Sequence, residues 1–173
     1  MTVPEITQQW LQQQQFTIQP GVTIEGVHVK DLVTHLDGRG DVIELWSQSW
    51  VDGTNIHQPK HVYESSTDYG VVKGWHLHEH HTDQHTVTRG KLQISLVDVR
   101  PDSPTFGHAN KVILGVQKPR LVKIPPGVMH GWKALSRPEV IVVNLQTQIY
   151  DPADEYKYTW NCILEDIWEP KNG

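Results

Sequence analysis

The sequence predicts an all-β fold, a sandwich or barrel with one short N-terminal helix. Two observations carry this. Runs rich in β-branched and aromatic residues recur along the chain, each bounded by Gly, Pro, Asp or Asn. Helical spacing of apolar residues is confined to residues 4–15, which leaves no helices to cover a parallel sheet.

Taken in order, residues 4–15 predict the helix. Pro4 suits a first turn, Ile6, Trp10 and Leu11 share a face, the Gln-rich run 12–15 is polar filler, and Gly21 ends the segment. Strand-like runs follow: EGVHVKDLV (25–33), DVIELWSQSW (41–50), KHVYESS (60–66), GVVKGWHLH (70–78), HTVTRGKLQISLVDV (85–99), KVILG (111–115), RLVKIP (120–125) and VIVVNLQTQIY (140–150). Arg89-Gly90 splits the longest run and predicts a hairpin turn. Beyond Asp151 the periodicity is weak, and EDIWEP reads as a helical turn or a closing strand. No repeat or linker divides the chain. It reads as one domain over 1–173, with an extension (1–20), a β body (21–150) and a C-terminal segment (151–173).

A formal net charge of -5 without a basic block argues against a nucleic-acid partner. The single cysteine, Cys162, rules out an internal disulfide and suits a reducing compartment. No run approaches the roughly 20 apolar residues of a membrane span. The N-terminus carries no basic region followed by an apolar run, so no signal peptide is expected. The chain reads as cytoplasmic, with no membrane partner.

GWHLHEHHTDQH, residues 74–85, holds five of the eleven histidines. In a strand, His76 and His78 share a face and can approach one cation from adjacent sides. The full string from Gly70 to Gly90 is G-x5-H-x-H-x4-D-x6-G, with Asp83 as its carboxylate. It resembles the first metal motif of the cupin superfamily, with Asp where Glu is usual. Pro125, Gly127 and His130 resemble the second, P-x-G-x-x-H, although position 119 is Pro where that motif has Gly. His76, His78, Asp83 and His130 form a candidate ligand set for Fe(II), Mn(II), Ni(II) or Zn(II). The competing reading is a wet polar strand. His80, His81 and His85 fall outside the motif and read as exposed loop residues, His85 being the nearest to the site.

Further motifs narrow the resemblance. DGRGDVIE (37–44), Ser65 and Thr67, GVVKGWH (70–76), VDVRPDSPTFG (97–107), IPPGVMHGW (124–132), YDPADE (150–155) and Trp160-Asn161 are similar to motifs of the dTDP-4-dehydrorhamnose 3,5-epimerases. The resemblance runs from about residue 25 to the C-terminus. It implies a cupin-type jelly roll, a homodimer, and a sugar or nucleotide-sugar as small-molecule partner. It also implies an isomerase that removes a proton beside a C4 ketone, holds the enolate with cationic groups and returns a proton through a tyrosine. No organic cofactor is implied. His76 matches the base, His130 the second active-site histidine, and Arg39 a residue contacting the nucleotide's phosphates.

The pattern also has departures. Lys73 stands where the family has arginine, which loses the bidentate fork. Asp83 aligns with the active-site lysine, Asn144 with the catalytic tyrosine, and Cys162 with the aspartate that orients the base. His61 and Tyr63 align with a glutamine and an asparagine. The candidate site is therefore His76, His130 and Tyr150 for catalysis and Arg39, Glu44, Tyr63, Lys73 and Asn144 for substrate. If His76 binds metal it cannot also be a free base, and Tyr150, Tyr63, His61 and Glu79 become the alternatives. An Fe(II)-dependent cupin oxygenase and a non-catalytic sugar-binding cupin are the competing functions.

Overall fold

A computed structural model describes residues 2–51, 53 and 55–169. The ends of the predicted extension and of the C-terminal segment, residue 1 and residues 170–173, lie outside the described residues. The chain opens with a 3-10 turn, Val3–Glu5, and a short helix α1, Gln8–Gln12. The single helix expected over 4–15 is thus broken. Ile6 and Thr7 are extended, and the Thr7 side chain caps α1 by accepting from the Trp10 amide. Ile6 and Leu11 are buried as the spacing predicted.

Among the described residues thirteen strands follow: β1 (Thr17–Ile18), β2 (His28–Asp31), β3 (Thr34–Asp37), β4 (Gly40–Ile43), β5 (His61–Asp68), β6 (Val72–Leu77), β7 (Asp83–Arg89), β8 (Lys91–Asp98), β9 (His108–Gly115), β10 (Arg120–Ile124), β11 (Val128–Ala134), β12 (Glu139–Gln146) and β13 (Tyr156–Lys157). They form a six-stranded sheet, β1-β9-β8-β11-β6-β13, facing a five-stranded sheet, β2-β10-β7-β12-β5. β3 and β4 make a separate hairpin. The run 41–50 is therefore only partly strand; a 3-10 turn occupies Gln48–Trp50. EDIWEP forms a helical turn over Glu165–Trp168.

The turn at Arg89-Gly90 is not a hairpin. Gly90 has φ +79°, but β7 pairs with β10 and β12 while β8 pairs with β9 and β11. The chain passes from one sheet to the other at this point, because both runs find distant partners that bury their apolar faces.

Side chains alternate between an inner and an outer core. Leu92, Ile94, Leu96, Leu114, Val122, Ile124, Val128, Val140 and Val142 fill the space between the sheets. Trp75, Leu77, Val97, Ala109 and Met129 cover the outer face of the six-stranded sheet with Leu11, Cys162, Ile167 and Trp168. Gly74 and Gly131 lie back to back there, and a Cβ on Gly131 would sit 2.8 Å from the Gly74 Cα. The Trp168 indole rests over this glycine pair. Burial pushes the Cys162 thiol up to about 11, so it is packing material and no nucleophile.

Candidate active site

A cavity opens between the sheets where their inner faces turn polar. It is lined by Tyr63, His76, His78, Asp83, His85, His130, Trp132, Gln146 and Glu155. The same alternation that sends Leu96, Val128 and Val142 into the core places His76, His130, Asp83 and Asn144 inward at the cavity.

His76 Nδ1 lies 2.9 Å from Glu155 Oε1. This hydrogen bond, helped by the Lys157 ammonium 3.7 Å away, outweighs burial and holds the Glu155 carboxyl down to about 2. Glu155 is thus an acceptor, the proton sits on Nδ1, and Nε2 keeps a free lone pair. Cys162, which stands at the position of the orienting aspartate, packs in the outer core.

Tyr63 reaches in from the opposite sheet. Its hydroxyl accepts from Asn144 Nδ2 at 3.0 Å, which leaves the O–H hydrogen uncommitted. Burial pushes this phenol up to about 12, so it keeps its proton. Tyr63 and Asn144 face each other in the β5–β12 register. A phenol thus stands beside Asn144 from the neighbouring strand.

Asp83 is the hub of the cavity floor. Its Oδ1 accepts from Asn144 Nδ2 at 2.8 Å and Gln146 Nε2 at 3.1 Å. Its Oδ2 lies 3.0 Å from His130 Nε2 and 3.3 Å from His78 Nε2. Burial pushes the Asp83 carboxyl up, but the imidazoles of His130, His78 and His81 beside it outweigh this and hold it well below the usual carboxylate range. Burial pushes His85 down to about 3 and also lowers His130, against the pull of Asp83. A second buried group joins His81 Nδ1 to Asp154 Oδ2 at 2.7 Å.

Of the residues singled out from sequence, His76, His78, Asp83, His130 and Tyr63 line the cavity, and Asn144 lies behind it. His76 stands beside the other three metal candidates and not among them. Of these four, His78, Asp83 and His130 bring ligand atoms within 4.8 Å of one another, and His78, His81 and Asp154 form a second such group. Arg39 and Glu44 do not reach the cavity. Both are exposed, Arg39 on the β3–β4 turn paired with Asp37 and Glu44 just beyond β4. Lys73 is tied to Ser65 Oγ and the Ser66 carbonyl, and Tyr150 is 55% exposed on the loop after β12. Of the remaining histidines, His81 and His85 are buried, contrary to the loop reading, while the His80 side chain is 71% exposed. Sequence reasoning missed Glu155, Asp154, Gln146 and the burial of His81. The YDPADE match was the one signal for the first two.

A jelly roll that encloses imidazoles and a carboxylate between its sheets is a cupin-type fold. The sequence model of the dTDP-4-dehydrorhamnose 3,5-epimerase family matches residues 21–168, and the chain belongs to that family, a family of isomerases. It is 33% identical over 132 residues to the probable low-salt glycan biosynthesis epimerase Agl13 of Haloferax volcanii, covering 76% of this chain and 83% of that protein. It is 34% identical over 141 residues to the spore coat polysaccharide biosynthesis protein SpsL of Bacillus subtilis, covering 80% and 91%. The crystal structure of dTDP-4-dehydrorhamnose 3,5-epimerase from Sulfolobus tokodaii superposes with a TM-score of 0.74 at 28% identity, over 80% of each chain. These relatives do not favour the oxygenase or the non-catalytic reading. Among the described residues no helix is long and apolar enough to cross a membrane.

Proposed function

We propose that this chain epimerises a nucleotide-linked 4-keto sugar, with His76 as base and Tyr63 as the proton donor on the opposite face. The observation that carries it is the His76–Glu155 pair facing the Tyr63 phenol across one cavity. His76 Nε2 takes the proton from the carbon beside the ketone. The C–H electron pair becomes the new C=C bond, and the carbonyl π pair moves to oxygen as an enolate. Collapse of the enolate onto the Tyr63 O–H delivers a proton from the other sheet, which inverts the centre. Water then returns a proton to the phenolate and takes one from the imidazolium. Glu155 keeps the proton on Nδ1 and stabilises the imidazolium as it forms. Tyr63 lines the cavity whereas Tyr150 lies on the loop after β12, and His130 faces Asp83.

The test is incubation with a dTDP-linked 4-keto sugar in D2O. Deuterium is expected at the carbon beside the carbonyl, seen by mass and NMR. A substrate recovered without label would sink the reading.

The same reading includes a cytoplasmic homodimer. A buried, unpaired Cys162 suits a reducing compartment. Val33 and Val42 are 64% and 68% exposed on one face of the β3–β4 hairpin and Leu36 is 78% exposed on the other, apolar surface that a second copy clasping the hairpin would cover. Light scattering is expected to give twice the chain mass, and a monomer after Leu36→Lys with Val42→Lys.

A further inference from the structure

The acid–base pair leaves one cluster without a task. We propose that His78, Asp83 and His130 hold a divalent first-row transition-metal ion, with His76 outside the coordination sphere as the free base. The use assigned to the ion rests on the epimerase reading; the site itself rests on geometry.

The argument is one of donors and acceptors. His78 Nδ1 lies 2.7 Å from the Asp154 carbonyl oxygen, and His130 Nδ1 lies 3.1 Å from that of Val128. A carbonyl only accepts, so each Nδ1 carries the hydrogen and each Nε2 presents a lone pair. Both Nε2 atoms point at Asp83 Oδ2, at 3.3 and 3.0 Å. Oδ2 is itself an acceptor, while the amide donors of Asn144 and Gln146 are spent on Oδ1. Three lone-pair atoms therefore converge in a site where His78 is 5%, Asp83 2% and His130 2% exposed. Protons alone would have to place two imidazolium ions beside one carboxylate, away from water. One divalent ion satisfies all three atoms at once.

The spacing agrees. Ligands about 2.1 Å from an ion, at tetrahedral or octahedral angles, lie about 3.0–3.4 Å from each other. The Nδ1–H to carbonyl bonds are the usual way a protein fixes a metal-binding imidazole. His85 gives a second, independent sign. It is buried, its Nδ1 has no partner, and its Nε2 stands 3.9 Å from the same Asp83 oxygen. Two imidazoles and one carboxylate suit Fe, Mn, Co, Ni or Zn better than Ca or Mg. When bound, the ion supplies the positive charge that an enolate beside Asp83 otherwise lacks. The division also frees His76, whose Nδ1 is engaged by Glu155.

The full chain is stripped with chelator and titrated with Co(II), followed by visible absorption and by elemental analysis after desalting. One Co(II) per chain is expected for wild type and for His76→Asn. His78→Gln and His130→Gln are expected to bind at least about 100-fold more weakly, because a direct ligand matters no less than the outer groups that orient it. Circular dichroism shows whether each variant is folded, and either glutamine variant alone suffices if the other is not. Folded wild type that takes up no Co(II), equal affinity in a folded glutamine variant, or loss of binding in His76→Asn each overturns the site. Deuterium exchange into substrate by protein that binds no metal would remove this site and leave the epimerase reading intact. Metal uptake without exchange would do the reverse.

Discussion

His76→Asn is expected to lower kcat by roughly 1000-fold, within the range that a positioned general base contributes. The folded state should be little affected. The His76 side chain is 23% exposed, and its one strong polar tie is to Glu155 at 2.9 Å. Asn fills part of the same space and retains a donor for that carboxylate, but it has no basic nitrogen. Glu155→Gln removes the negative charge that stabilises the imidazolium and puts an amide donor beside the remaining acceptor, while keeping the volume. It is expected to cost roughly 100-fold in kcat at the lower end of the same range, with KM held. The measurement is initial rate against substrate concentration, with a thermal melt of each variant. A His76→Asn enzyme within threefold of wild type would assign the proton abstraction elsewhere.

Trp75→Ala should produce the largest loss of stability. Trp75 is fully buried, its ring lies 4.6 Å from that of Trp168 at 48°, and its Nε1 donates to the Trp160 carbonyl at 3.0 Å. Trp168 Nε1 donates to the same carbonyl at 2.9 Å. One indole thus joins the six-stranded sheet to the C-terminal segment. Truncating a buried tryptophan costs about 3–5 kcal/mol, since the cavity left behind adds to the lost transfer energy. Urea unfolding followed by fluorescence should show this as a lower midpoint with unchanged slope. A loss below about 1 kcal/mol would mean that Trp168 and Leu11 collapse into the space, which the rigid glycine-backed seat opposes.

Much of the fold was legible, because β-branched runs and their glycine and proline boundaries are local properties. What escaped depends on tertiary partners. β11, VMHGWKA, is absent from the strand-like runs and enters only through the motif IPPGVMHGW, because a histidine and a glycine interrupt its alternation. The Arg89-Gly90 hairpin failed because turn residues say that the chain reverses, not which strand it then pairs with. At the site, His78, Asp83 and His130 could be grouped by spacing, since each falls on an inward strand position or just beyond a strand end. Glu155 and Asp154 could not, because they arrive on a 3-10 turn whose return to β6 has no period. His81 looked wet in a polar run, yet Asp154 and Gln146 bury it. Arg39 and Glu44 matched a motif, and their hairpin leaves both facing outward.

The two proton-handling groups belong to opposite sheets: His76 to β6 and Tyr63 to β5. Within the cavity, Asp83 on β7 meets His130 on β11 across the same gap. That distance is gauged by the aliphatic filling farther along the roll, where Ile94, Leu96, Val122 and Val142 act as a spacer between the layers. A methylene added to or taken from that filling would change the stroke length of the proton relay without touching either group. In this protein the oily interior is also the calibration of the chemistry.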